Sequence, residues 1–299
     1  MIRCFILPVL ILIAIGAYSQ SLSSADVKQV KDIAYAIPDD DTLQTLNLVL
    51  PEAGHDFPLL IWIGGGAWSY GNKNIEMDLA RQFARKGVAV ASVGTRLSPA
   101  TWRDSSYNTG VKHPAHAQDV AAAVKWLYDH AGQYGFDRNN LFVGGYSSGG
   151  HLAALIGLDS SYLTKEGLSP RLLKGIIPIS GTYDIANYHE VLLNSDRPEL
   201  AELHVEAVFG SEEEDFIRAS PVHYLTHLSI PMLLMSDNNM YNYAKRFEEK
   251  IRETEFREMQ VVYAYNLSHG ALWRDLSFAD ESIYRSLILD FIAKHVGQS

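Results

Sequence analysis

The stretch Leu141-Phe-Val-Gly-Gly-Tyr-Ser-Ser-Gly-Gly-His-Leu-Ala-Ala-Leu155 decides the fold. Three apolar residues of strand composition run into two glycines, and beyond Ser147 the apolar residues Leu152, Leu155 and Ile156 recur at helical spacing. Gly145-Tyr146-Ser147-Ser148-Gly149 therefore reads as a strand-to-helix turn of the G-x-S-x-G kind, which lifts one serine hydroxyl above a sheet edge. Glycine at 145 and 149 fits an elbow where strand and helix pass too closely for a side chain. The N-terminal amides of the following helix point toward the serine, so Ser148 N–H is a candidate oxyanion donor.

Working outward, the chain alternates strands and helices. Gln44–Leu50, Leu59–Ile63, Val88–Val93, Gly175–Ile179, Met232–Met235 and Met259–Ala264 read as strands, several of them continuous apolar runs of the kind buried on both faces of a sheet. Helical spacing marks a segment starting at Met77, then Asp119–Tyr128 with Pro114 in its first turn, Tyr243–Glu253, and one closing helix over Ser277–Val296. This alternation predicts an α/β class with a mostly parallel sheet covered on both faces. The segment from Tyr183 to Arg218 is long enough for a small lid.

The chain has 299 residues, 47% of them hydrophobic and 20% charged, which suits one globular domain with a large core. A net charge of −10 without any Lys/Arg run argues against a nucleic-acid or anionic-lipid partner. Met1-Ile2-Arg3, the apolar run Cys4–Ala17 and the small residues Ala17 and Ser19 predict a signal peptide over 1–19. The expected product is a secreted or periplasmic domain over 20–299 with no stable membrane insertion and, since Cys4 is the only cysteine, no disulfide.

A serine nucleophile needs a base, and the base an orienting acid. His269 follows the last strand and precedes the closing helix, where the base of a Ser…Asp…His chain order belongs. Asp237, just beyond Met232–Met235, is the candidate acid, with Asp184 as its rival after the preceding strand. Gly64, Gly65 and Gly66 end a strand and offer bare amides to a substrate oxygen. Trp68, Tyr70, Tyr146, Tyr183, Tyr188 and Trp273 are candidate pocket residues. His113 and His116 are three apart without a third ligand at recognisable spacing, so they read as a helix-start pair and no metal is expected.

Leu59–Lys73, with Gly64-Gly65-Gly66-Ala67-Trp68, resembles the H-G-G-A-W oxyanion loop of α/β-hydrolase esterases of the hormone-sensitive-lipase-like group. Val93–Pro99, His113-Pro114-Ala115 with Asp119, Gly145–Leu155 and Ala219-Ser220-Pro221 extend a likeness to bacterial feruloyl and acetyl-xylan esterase relatives and to kynurenine formamidase-like hydrolases. The resemblance implies an α/β-hydrolase fold with Ser147 as nucleophile, His269 as base and Asp237 as acid. It gives the amides of Gly65, Gly66 and Ser148 as oxyanion donors, and no cofactor. The implied reaction is hydrolysis of short-chain or aromatic acyl esters, on small molecules or linked to polysaccharide. The alternatives are hydrolysis of an N-formyl arylamine, or a hydrolase-fold binding protein whose triad has decayed. Two departures stand out: glycine replaces the loop histidine at position 64, and the usual H-G-x-x-D appears as Met235-Ser236-Asp237-Asn238-Asn239. A missing histidine implies a looser loop, and hence that Gly64→His raises kcat severalfold.

Overall fold

The structure is a computed structural model that describes residues 27–36 and 43–297. Eight strands form one sheet: β1 (Val27–Ala34), β2 (Thr45–Pro51), β3 (Phe57–Ile63), β4 (Ala89–Val93), β5 (Phe136–Tyr146), β6 (Leu173–Ile179), β7 (Met232–Asp237) and β8 (Met259–Ala264). Their order is β1-β2-β4-β3-β5-β6-β7-β8, with β2 antiparallel to both its neighbours and every other pairing parallel. The expected signal peptide lies outside the described residues. Among the described residues, no helix is long and apolar enough to cross a membrane.

The alternation of side chains along the central strands divides the core into two layers. Leu59, Ile61, Leu141 and Val143 face one layer with Val120, Val124, Leu152 and Leu155. Leu60, Trp62 and Phe142 face the other with Leu79, Phe83, Leu272, Ile288 and Phe291. Both faces of the sheet are thus helix-covered, which is why its strands are continuous apolar runs.

Three elements differ from the sequence reading. The edge strand β1 is Val-Lys-Gln-Val-Lys-Asp-Ile-Ala, mostly exposed and interrupted by Asp32 at φ +55°, so it carries no apolar signature. The helix expected from Asp119 begins at Ala115, behind Pro114, and runs to Tyr134, where Gly135 at φ +76° stops it. The single closing helix is in fact two, His269–Phe278 and Ile283–His295. Ser282 caps the second by accepting from Arg285 N at 3.1 Å, and the Arg285 guanidinium satisfies the carbonyls of Leu276, Ala279 and Asp280 at the break.

Candidate active site

β5 ends at Tyr146, and Ser147 adopts φ +57°, ψ −120° before the helix Ser148–Leu158 begins. That strained turn requires its glycines for space. A Cβ on Gly145 would lie 2.4 Å from the Gly149 carbonyl oxygen, and one on Gly149 would lie 2.0 Å from that of Ile63. Ser147 N donates to Ile179 O of the neighbouring strand at 2.8 Å, so the turn is held from both sides.

β7 delivers Asp237 at its last residue, with its side chain fully buried. Oδ1 accepts from the amides of Asn239 and Met240 at 2.8 and 3.1 Å, leaving Oδ2 for the His269 Nδ1–H at 2.8 Å. Burial pushes the Asp237 carboxyl up, but the hydrogen bonds from His269, Ser180 and Met240 outweigh it and hold the group below the usual carboxylate range. His269 opens the helix His269–Phe278, and its backbone N–H is fixed by Asn239 Oδ1 at 2.8 Å. With Nδ1 committed to Asp237, Nε2 faces Ser147 Oγ at 3.0 Å as an acceptor. Tyr146 donates its hydroxyl to the His269 carbonyl and stands 3.3 Å from Asp237 Oδ2; burial, then the Asp237 charge, keep its phenol protonated.

Asp184, the rival acid, is elsewhere. It caps the helix Ile185–Leu193 by accepting from Asn187 N at 3.0 Å and faces Arg246 at 3.5 Å.

A cleft of about 260 Å³ opens beside Ser147 and His269, walled by Gly65, Gly66, Tyr70, Tyr146, Trp273 and Glu76. Gly65 backs directly on the serine: a Cβ there would lie 3.2 Å from that of Ser147. Gly66, at φ +141°, makes a turn in which a Cβ would fall 2.3 Å from Gly71 N. Ser148 follows the serine as the first residue of its helix. The loop glycines and the helix start therefore converge on the same point.

Three of the six expected pocket aromatics are not in its wall. Trp68 is buried behind the loop, donating its indole N–H to His151 Nδ1 at 3.1 Å and packing edge-on to Phe209. Tyr183 is fully buried and stacks on Phe247, with its hydroxyl accepting from Gly181 N. Tyr188 packs edge-on to Tyr243 and His204. Each is bulky and amphipathic, and those are equally the properties of core aromatics.

The surroundings of Gly64 supply a different reason for a glycine there. A Cβ at that position would lie 2.8 Å from Oε1 and 2.9 Å from Cγ of Glu76, so a histidine would displace a buried side chain rather than steady an empty loop. Glu76 itself went unread; the one signal was a glycine where the resembling loops carry histidine, with an acidic residue soon after it.

His116 Nε2 bonds Ser98 Oγ at 3.0 Å, and among the described residues no group of three or more His, Cys, Asp or Glu could hold an ion. Burial lowers His116 to about 4 and His151, which donates to the Ala219 carbonyl, to about 3, from an ordinary 6.5. Because the folded values are depressed, the stability these two neutral rings contribute is complete above pH 6.5 and is lost as pH falls toward 4. Each ring withdraws about 1.4 kcal/mol per unit over that window. We expect Tm to fall by roughly 5–10 °C between pH 7 and pH 5; an unchanged Tm would show that neither ring is neutral only in the folded state.

An elbow serine, a buried carboxylate and an imidazole, arriving in that order from the ends of parallel strands, define the α/β-hydrolase class. The chain belongs to the BD-FAE family, whose model matches residues 46–241. It is similar to Esterase LipC of Mycobacterium tuberculosis, 27% identical over 71% of this chain and 53% of the relative, so it spans about half of that protein's length. It is also similar to the kynurenine formamidase of Danio rerio, 25% identical over 74% of this chain and 68% of that one. Among solved structures, esterase B of Lactobacillus rhamnosis shares the fold with a TM-score of 0.74 at 23% identity, covering 90% of this chain and 86% of the other.

Proposed function

We propose that this protein is a serine hydrolase of carboxylic esters. The observation that carries the reading is the continuous chain of hydrogen bonds from Ser147 Oγ through His269 to Asp237 at the mouth of a cleft. Ser147 Oγ attacks the ester carbonyl while its proton passes to His269 Nε2, and the imidazolium is stabilised by Asp237. The amides of Gly65, Gly66 and Ser148 receive the oxyanion. Collapse breaks the bond to the alcohol, which leaves with the proton from Nε2. Water then attacks the acyl-enzyme with His269 as base, releasing the acid and restoring Ser147. An intact relay with a normally buried acid gives no support to a decayed, binding-only protein.

The cleft favours small acyl groups. About 260 Å³ holds an acetyl or a single aromatic acyl group, and most of a long chain would lie outside its walls. Acetyl and feruloyl esters, free or on a saccharide, should therefore be hydrolysed faster than emulsified long-chain triglyceride; the reverse order would sink this assignment of substrate class. The likeness to a kynurenine formamidase supports a second reading, since the same machinery cleaves an N-formyl arylamine. N-formylkynurenine in the same assay panel separates the two: a kcat/KM far above that for every ester would replace the esterase reading. We further propose an exported location for the mature chain, and a lid role for residues 183–218. The sequence features at the N-terminus and the helices that this segment forms support these readings.

A further inference from the structure

The wall of the cleft contains a carboxyl group that the mechanism above does not use. Glu76 ends the short helical turn Lys73–Glu76 and is 1% exposed. Its Oε2 accepts from two indoles, Trp62 Nε1 at 2.9 Å and Trp273 Nε1 at 3.4 Å. Its other oxygen has no partner within the protein.

The two indoles belong to the two halves of the site. Trp62 lies on β3, two residues before Gly64, where the oxyanion loop leaves the strand. Trp273 lies one helical turn beyond His269, on the helix that the base opens. Glu76 thus bonds both the strand feeding Gly65 and Gly66 and the helix carrying His269. It can do so only because position 64 has no side chain: the Glu76 carboxyl and Cγ occupy the space that a Cβ would need. The backbone at Gly64 lies outside the positive-φ region, so space and not dihedral freedom is what the glycine supplies there.

We propose that Glu76 is a positioning residue of the hydrolytic site, a clasp that sets the oxyanion loop against the His269 helix through Trp62 and Trp273, with Gly64 as its socket. Burial pushes the carboxyl above the usual carboxylate range, with the two indole hydrogen bonds acting in the opposite sense. One oxygen, Oε2, accepts both indole N–H groups, which is what joins the two elements. A misplaced loop weakens contacts made in the transition state more than those made to bound substrate, so the clasp should act on kcat.

This inference rests on the reading of Ser147 and His269 as nucleophile and base. Steady-state kinetics on one short-chain ester with the full chain test it. Glu76→Leu should lower kcat at least about tenfold with KM within about threefold, because misplacement by an ångström is enough for such losses. Glu76→Gln keeps an oxygen acceptor for both indoles and should restore kcat to within about threefold of wild type. Gly64→Ala fills the socket and should also lower kcat, but should cost little more when added to Glu76→Ala, since the two changes break one contact. The same coupling predicts that Gly64→His lowers kcat. Wild-type kcat in folded Glu76→Leu, equal losses in the Leu and Gln variants, or independent multiplication of the Gly64 and Glu76 effects would each overturn the proposal. If Glu76→Leu does not fold, the Gly64→Ala and Glu76→Ala cycle decides. Turnover near wild type in Ser147→Ala would instead strike the underlying reading of the site.

Discussion

Ser147→Ala should fold normally and lose at least about a thousandfold in ester turnover, the scale of removing one member of a catalytic triad. The fold should survive because the substitution leaves the backbone of the turn in place. Ser147 N still donates to Ile179 O, His151 N still reaches the carbonyl of residue 147, and the glycines that create room for the elbow are untouched. The hydroxyl makes its one hydrogen bond to His269, so its loss removes chemistry and little packing. The loop amides and the cleft remain, which is why residual activity above the uncatalysed rate is also expected. Turnover near wild type would mean that the nucleophile lies elsewhere.

Asp237→Asn should cost on the order of 10³–10⁴ in kcat, the largest loss for any change outside the serine and histidine. The geometry gives the reason. Asn can keep its oxygen toward the Asn239 and Met240 amides, where Oδ1 now accepts, and would then present an NH₂ group to His269 Nδ1. The imidazole must answer with its lone pair on Nδ1 and its proton on Nε2, and an Nε2–H cannot take the proton of Ser147. Asp184→Asn should be nearly silent by comparison. Asparagine caps a helix as well as aspartate does, and the 3.5 Å pairing with Arg246 lies at the surface. A larger loss from the Asp184 variant, with both proteins folded, would reverse the choice of acid.

The parts of this molecule that were legible in its sequence are those where backbone geometry dictates residue type. Gly145 and Gly149 are unavoidable at a turn where a Cβ would overlap carbonyl oxygens, and the apolar runs of β3, β4 and β5 follow from a sheet covered on both faces. Asp237 and His269 were found because the ends of consecutive parallel strands lie at one edge, so chain order translates into proximity. Where meaning depends on a distant partner, the sequence was silent. Trp68 has the composition of a pocket wall, and only its bond to His151, far along the chain, assigns it to the interior. Glu76 reads as an ordinary acidic residue at a helix start until Trp62, Trp273 and the empty Cβ position of Gly64 are brought around it. The exposed strand β1 and the break at Ala279–Ser282 were missed because pairing and carbonyl capping, not apolar periodicity, create them.

The central claim is that Ser147 is a nucleophile activated by His269. It is tested most directly by treating the folded protein with a fluorophosphonate and mapping the adduct by peptide mass spectrometry. The account predicts one stoichiometric adduct on Ser147, with hydrolysis lost in proportion to labelling and no adduct in Ser147→Ala. Full activity in protein that resists the reagent, or an adduct on another residue that accounts for the inactivation, would contradict it.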